Sequence, residues 1–139
     1  NEEDVNFFHK SIENVCDKHD KKYYPDFKKQ CDEYFYLPHR DEPRGEGGIF
    51  FDHLNNNDFK RDFDFIHDFG EDILKTICSI IEIRKDKTWS QEEKDIQLYK
   101  RGRYVEFNLL WDRGTLFGLK TGGSTEAILM SMPPTAKWK

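Results

Sequence analysis

Residues 39–46 place His39, Arg40, Asp41, Glu42, Arg44 and Glu46 within eight positions, and Gly47, Gly48 and the apolar run "IFF" follow at once. Arginines 40 and 44 offer planar, permanently charged forks that match a carboxylate or a phosphate. Glycines 45, 47 and 48 let a backbone come close to a ligand and turn its N–H groups outward. The same stretch also reads as a solvated connection whose arginines pair with Asp41, Glu42 and Glu46. It is not a Walker A loop, because the run behind it reads as a strand and not as a helix. A second stretch, "LKTGGST" at 119–125, sets a Gly-Gly pair between hydroxyl residues. That pair suits an anion cradle of backbone N–H groups or a tight hairpin turn.

The five histidines, at 9, 19, 39, 53 and 67, contain no HExxH pair and no zinc spacing with the cysteines. Satisfied surface or interface histidines account for them. A 2-His-1-carboxylate oxygenase built on His9 and His39 would need an acid close to both. Asp112 and Arg113, in "LLWDRGTLFGL", sit where a turn wants Asp and Gly.

The elements that must position these groups follow from periodicity. Val5, Phe8, Ile12 and Val15 predict an amphipathic helix over 3–18. Pro25 is placed to open a second helix with Phe27, Cys31 and Tyr34 inward, ending near Pro38. "GGIFFDHL" reads as a short strand. "NNND" caps a long helix whose apolar positions run from Phe59 to Ile80. Ser90 with Glu93 forms a capping box for a helix over about 91–101. "RYVEFNLLW", "TLFGLK" and "TEAILMSM" then read as strands separated by "DRG" and "TGGS" turns. The expected class is α+β, with helices in front and an antiparallel hairpin-type sheet behind, in one domain over 1–139.

At 139 residues the chain can bury roughly two thirds of its unfolded surface. Mean hydropathy is low, −0.90, yet 12 Phe, 6 Tyr and 3 Trp are too many for a solvated tail. A net charge of −5 leaves no basic field for nucleic acid. Three cysteines without CxxC spacing read as reduced thiols, which places the chain in the cytoplasm. No apolar run reaches the ~18 residues of a membrane span. The opening "NEEDVNFF", without Met and already helical in pattern, is expected to be cut from something longer.

Taken together, "CDEYFYLPHRDEPRGEGGIFFD" (31–52) resembles the signature of the oxygen-dependent coproporphyrinogen III oxidases, and "LYKRGRYVEFNLLWDRGTLFGLKTGGSTEAILMSMPP" (98–134) resembles that family's C-terminal block. "EDVNFFHKSIENVCDKHD" and "YYPDFKKQCDEYF" fit the segment leading into the signature. The resemblance implies oxidative decarboxylation of two propionates of coproporphyrinogen III to vinyls. The product is protoporphyrinogen IX, a step of haem biosynthesis, with O₂ consumed and CO₂ and peroxide released. It also implies a homodimer formed through 104–139, a flat antiparallel sheet sandwiched by helices, no organic cofactor, and a disputed divalent metal. Arg44 matches the family's substrate-contacting arginine, and Gly122, Gly123 and Ser124 match its substrate-contacting turn. His9 and His39 fall on the histidines proposed as metal ligands.

Glu46 stands where an aliphatic residue is usual, Ser124 replaces a common arginine, and Pro43 stiffens a loop that usually has no proline. The resemblance also places the family's proton-donating histidine, and other residues that engage the macrocycle, upstream of residue 1. The chain is therefore expected to be the C-terminal half of the enzyme and to lack turnover by itself. The alternative is a non-catalytic fragment that only binds porphyrinogen or dimerises.

Overall fold

A computed structural model of the chain describes residues 1–138. It is mostly helical, with one two-stranded antiparallel sheet, consistent with the coarse α+β class. In order come α1 (Glu2–His19), α2 (Tyr23–Tyr34), β1 (Tyr36–Leu37), β2 (Glu42–Pro43), α3 (Phe59–Arg84), α4 (Gln91–Leu110), α5 (Arg113–Lys120) and α6 (Thr125–Ile128). The chain forms two compact units: residues 1–34 with 46–88, and residues 35–45 with 89–139.

In the first unit α1 lies antiparallel along α3. Its Asn1 cap accepts from the Glu3 N–H at 2.9 Å, and three acids fill its first turn, where the helix dipole favours them. Contacts then run in opposite directions along the pair. Arg84 forks onto Asp4 at 2.8–3.1 Å, Ser11 bonds Asp72 at 2.7 Å and Thr76 at 2.6 Å, and His19 meets Asp68 at 2.9 Å. Between them Phe65, fully buried, touches the rings of His19, Tyr23, Phe27, Phe51 and Phe69. α2 begins two residues before Pro25, which stands in its first turn, where a missing N–H costs no helical bond.

Residues 46–58 are not the strand that "GGIFFDHL" predicts. One backbone bond, Phe50 N–H to Phe27 C=O at 3.1 Å, holds the middle of this segment. Side-chain packing supplies the rest: Ile49 and Phe51 join the core, and Phe50 stacks on Tyr34 at 4.6 Å. Asp58 caps α3 and accepts from the Arg61 N–H at 3.1 Å.

The second unit overturns the three C-terminal strands. "RYVEFNLL" continues α4, and the stretches after it form α5 and α6. α4 starts on a closed capping box, Glu93 N–H to Ser90 Oγ at 3.1 Å and Ser90 N–H to Glu93 Oε2 at 2.7 Å. Asp112 and Ser124 then cap α5 and α6, accepting from the Thr115 and Ala127 N–H groups. "DRG" and "TGGS" are thus helix starts and stops, not hairpin turns. The only β-pairing among the described residues is the hairpin of β1 on β2, Tyr36 opposite Pro43 and Leu37 opposite Glu42. Its buried Leu37 faces α4.

Residues 137–138 return to α4. The Lys137 N–H donates to the Leu98 C=O at 3.0 Å, and Lys137 Nζ meets Asp95 at 2.7 Å. They pass over buried Gly102, where an added Cβ would land on the Lys137 carbonyl oxygen. Gly102→Ala should therefore cost about 1–3 kcal/mol by overpacking, against the gain of up to ~1 kcal/mol that alanine has over glycine in a helix. Urea unfolding followed by tryptophan fluorescence measures it; a more stable variant would show that the tail is not seated there.

No described helix is long and apolar enough to cross a membrane. All three cysteines are free, and burial pushes the Cys16 thiol up to about 12.

Candidate functional site

The charged stretch 39–44 is the tip and return strand of the hairpin. Asp41 takes φ 54 at the tip, and the Arg44 N–H closes back on the Phe35 C=O at 2.9 Å. Pairing with α4 explains the density of charge. Arg40 forks onto Glu106, Nε to Oε2 and Nη2 to Oε1, each at 2.6 Å. His39 Nε2 lies 2.8 Å from the same Oε2. Arg103 Nε bonds Glu42, and its buried Nη1 has no hydrogen-bond partner among the described residues. The ion-pair reading of Arg40 is correct, but its acid is Glu106 and not a neighbour in the loop.

Glu106 is the hub, only 12% exposed at its side chain. Its hydrogen bonds from Arg40, outweighing desolvation, and then that from His39, hold its carboxyl down at about 2. Trp111 Nε1 donates to His39 Nδ1 at 3.1 Å. An indole N–H can only donate, so Nδ1 accepts, and the neutral ring carries its proton on Nε2 towards Glu106.

Arg44 is half-buried in an aromatic box. Its guanidinium carbon lies 4.1 Å from the Phe35 ring centre and 5.2 Å from those of Tyr104 and Phe107. Stacking uses the flat faces of the group, and donation runs in its plane. The glycines beside it serve the core of the first unit. A Cβ on Gly47 would stand 3.0 Å from Cys31 Sγ, and one on Gly48 would touch Ile12 and Phe8.

Gly122, Gly123 and Ser124 form the exposed turn between α5 and α6. Gly122 takes φ 73, a left-handed value that suits glycine. The N–H groups of Gly122 and Gly123 donate to the Leu119 and Gly118 carbonyls at 3.4 and 3.0 Å, so they cap α5. Ser124 Oγ accepts from the Ala127 N–H. A cavity of about 230 Å³ in this unit is lined by Glu42, Ile96, Tyr99, Lys100 and Arg103. Neither Arg44 nor the 122–124 turn lines it.

His9 belongs to the other unit, on α1. Its Nδ1 is 3.2 Å from the Tyr24 hydroxyl, and burial, followed by the Lys28 charge, lowers its pKa. Both ring nitrogens of His39 are engaged, and no group of three ligating side chains gathers among the described residues.

Glu106, Arg103, Tyr104 and Trp111 are the residues that sequence reasoning missed. Once "RYVEFNLLW" is read as helix, Arg103 and Glu106 fall one turn apart on α4 with signs opposite to Glu42 and Arg40.

A family model described as coproporphyrinogen III oxidase matches residues 1–139. Oxygen-dependent coproporphyrinogen-III oxidases of Francisella tularensis subsp. holarctica and of Francisella philomiragia subsp. philomiragia are each 59% identical over 138 residues. That of Francisella tularensis subsp. novicida is 57% identical over the same length. Each match covers 99% of this chain and 45% of the relative, so the chain spans less than half the length of these proteins.

Proposed function

The chain belongs to the coproporphyrinogen III oxidase family, and from that premise we propose that it is the C-terminal part of an oxygen-dependent coproporphyrinogen III oxidase. The whole enzyme converts two propionates of coproporphyrinogen III into vinyls and yields protoporphyrinogen IX for haem biosynthesis. The observation that carries this reading is the match over the full 1–139 span. In each turnover an ionised propionate side chain, O₂ and one proton give a vinyl, CO₂ and H₂O₂, the second proton of the peroxide coming from the side-chain carbon that loses its C–H bond. The two electrons leave the electron-rich pyrrole and its side chain for O₂, and the carboxyl carbon departs as CO₂. No organic cofactor enters the balance. The protein's share is then to hold each acid arm and orient it.

Arg44 is the propionate clamp in this reading. The three rings around it support the role, because they fix a guanidinium whose N–H edge meets a carboxylate in its own plane. Gly122, Gly123 and Ser124 are the substrate-contacting turn, offered through its exposed edge, since two of its N–H groups already cap α5. The homodimer forms through 104–139, and the exposed Leu109, Leu110, Trp111, Phe117, Leu119 and Met130 support that surface. A reducing compartment such as the cytoplasm suits the free, exposed Cys78.

The 45% coverage favours a second reading for this chain alone: it binds porphyrinogen or a second copy and does not turn over. An aerobic assay with coproporphyrinogen III separates the two. The 139-residue chain is expected to form no protoporphyrinogen, and the full-length enzyme to form it; measurable turnover by the short chain would remove the second reading. In the full-length enzyme Arg44→Ala should weaken substrate binding by about 1.5–3 kcal/mol, the range of a charge-assisted hydrogen bond. Arg44→Lys should recover part of that loss. An unchanged KM and kcat in the alanine variant would take Arg44 out of the site.

A further inference from the structure

α3 has two apolar faces, and the first unit uses one. Phe65, Phe69, Ile73 and Thr76 turn inward to the core and to α1. A second row, Phe59, Phe63, Ile66, Leu74, Ile77 and Ile81 with Gly70 at its middle, advances by steps of three and four residues along the whole helix. That spacing keeps the row on one side of the helix, as a packing seam requires. Every large member is exposed, Phe59 by 84% and Leu74 by 63%. A Cβ added at Gly70 would meet nothing within 4 Å, so the row carries a notch where another backbone can come close. At its N-terminal end opens a cavity of about 690 Å³, with Leu54, Phe59, Phe63 and Ile66 in its wall. Lys60–Asp64 at 2.5 Å and Glu71–Lys75 at 3.1 Å flank the row as a polar margin.

A six-turn apolar row is more than a soluble surface usually leaves to water, and the relatives carry more than half their length outside the matched region. We propose that this face of α3 seats the remainder of the family polypeptide, with an apolar segment from outside the matched region packed along Phe59–Ile81 and entering the notch at Gly70. The proposal rests on family membership and not on the catalytic reading. Its test measures burial and not turnover, so either can fail alone.

In a Cys78→Ser background, which leaves only the buried Cys16 and Cys31, one exposed cysteine at a time is added as Leu74→Cys or Ile77→Cys and labelled with a maleimide under native conditions, with Glu82→Cys as the control off the row. The same substitutions are placed at the aligned positions of a full-length Francisella relative. Labelling of the two row positions is expected to be at least about tenfold slower in the full-length protein than in the 139-residue chain, the scale of a buried site that opens only by local unfolding. The control should react alike in both. Equal rates in both proteins would overturn the proposal. So would protection in the short chain that grows with its concentration, which would make the occupant a second copy. A second arm, independent of labelling, is Leu74→Asp with Ile77→Asp. It should leave the Tm of the short chain within about 2 °C and lower that of the full-length protein by at least about 5 °C; no loss in the full-length protein would likewise overturn the proposal.

Discussion

Glu106→Ala should destabilise the second unit by about 2–4 kcal/mol, because it strips the acid from a part-buried Arg40 and from His39 at one stroke. The loss of hub pairing should exceed that of an exposed ion pair, which is commonly under about 1 kcal/mol. Trp89, Trp111 and Trp138 all lie in the second unit, so tryptophan fluorescence during urea unfolding reads it directly. The pH dependence carries the sign. Glu106 is held at about 2, below its ordinary 4.5, so its stabilisation is complete above about pH 4.5 and disappears as pH falls towards 2. At ~1.4 kcal/mol per pKa unit, and discounted for solvent at the rim, this contribution is of order 1–3 kcal/mol. The wild-type chain should lose it over that window, and the alanine variant should show a flatter curve there. Glu106→Gln, which keeps one acceptor but no charge, should fall between the two. Equal stability of wild type and Glu106→Ala at pH 7 would mean that the hairpin is held on α4 by Leu37, the aromatic box and the Arg103–Glu42 pair without help from Glu106.

Phe65→Ala should cost about 3–5 kcal/mol in the first unit, the range for emptying a buried aromatic site. Five rings lose contact with one another's common neighbour, and the backbone of α3 cannot collapse onto them while Arg84–Asp4 and Ser11–Thr76 hold its distance from α1. Because the tryptophans lie elsewhere, far-UV circular dichroism at 222 nm reads this loss. A destabilisation below about 1.5 kcal/mol would mean that the Tyr23–Phe27–Phe51 cluster closes over the gap.

Much of the helical frame was legible. The stripe from Val5 to Val15, the asparagine run before Phe59 and the Ser90–Glu93 box each point to a helix that exists, because caps and periodicity are local signals that act within one turn. The C-terminal third misled for a physical reason. Tyr104, Val105 and Phe107 are residues that strands favour, but the capping box has already started α4, and packing of Phe107 on Phe35 keeps the helix going past them. The correcting signal was present in Asp112 and Ser124, each accepting from the N–H three residues on, which is cap chemistry and not hairpin chemistry. The charge density of the loop is visible in the sequence, but its partners are not, since Arg40 and Glu106 are 66 residues apart and no local rule joins them.

That separation has a consequence for synthesis. A ribosome adding about 5–20 residues per second delivers Glu106 roughly 3–13 seconds after Arg40. Throughout that interval the two-residue strands must wait beside a half-built neighbour, with Leu37 uncovered and Arg40 without its carboxylate. Pauses between codons 44 and 103 would lengthen the exposure of this nascent hairpin to chaperones and proteases, and faster translation of that stretch would shorten it.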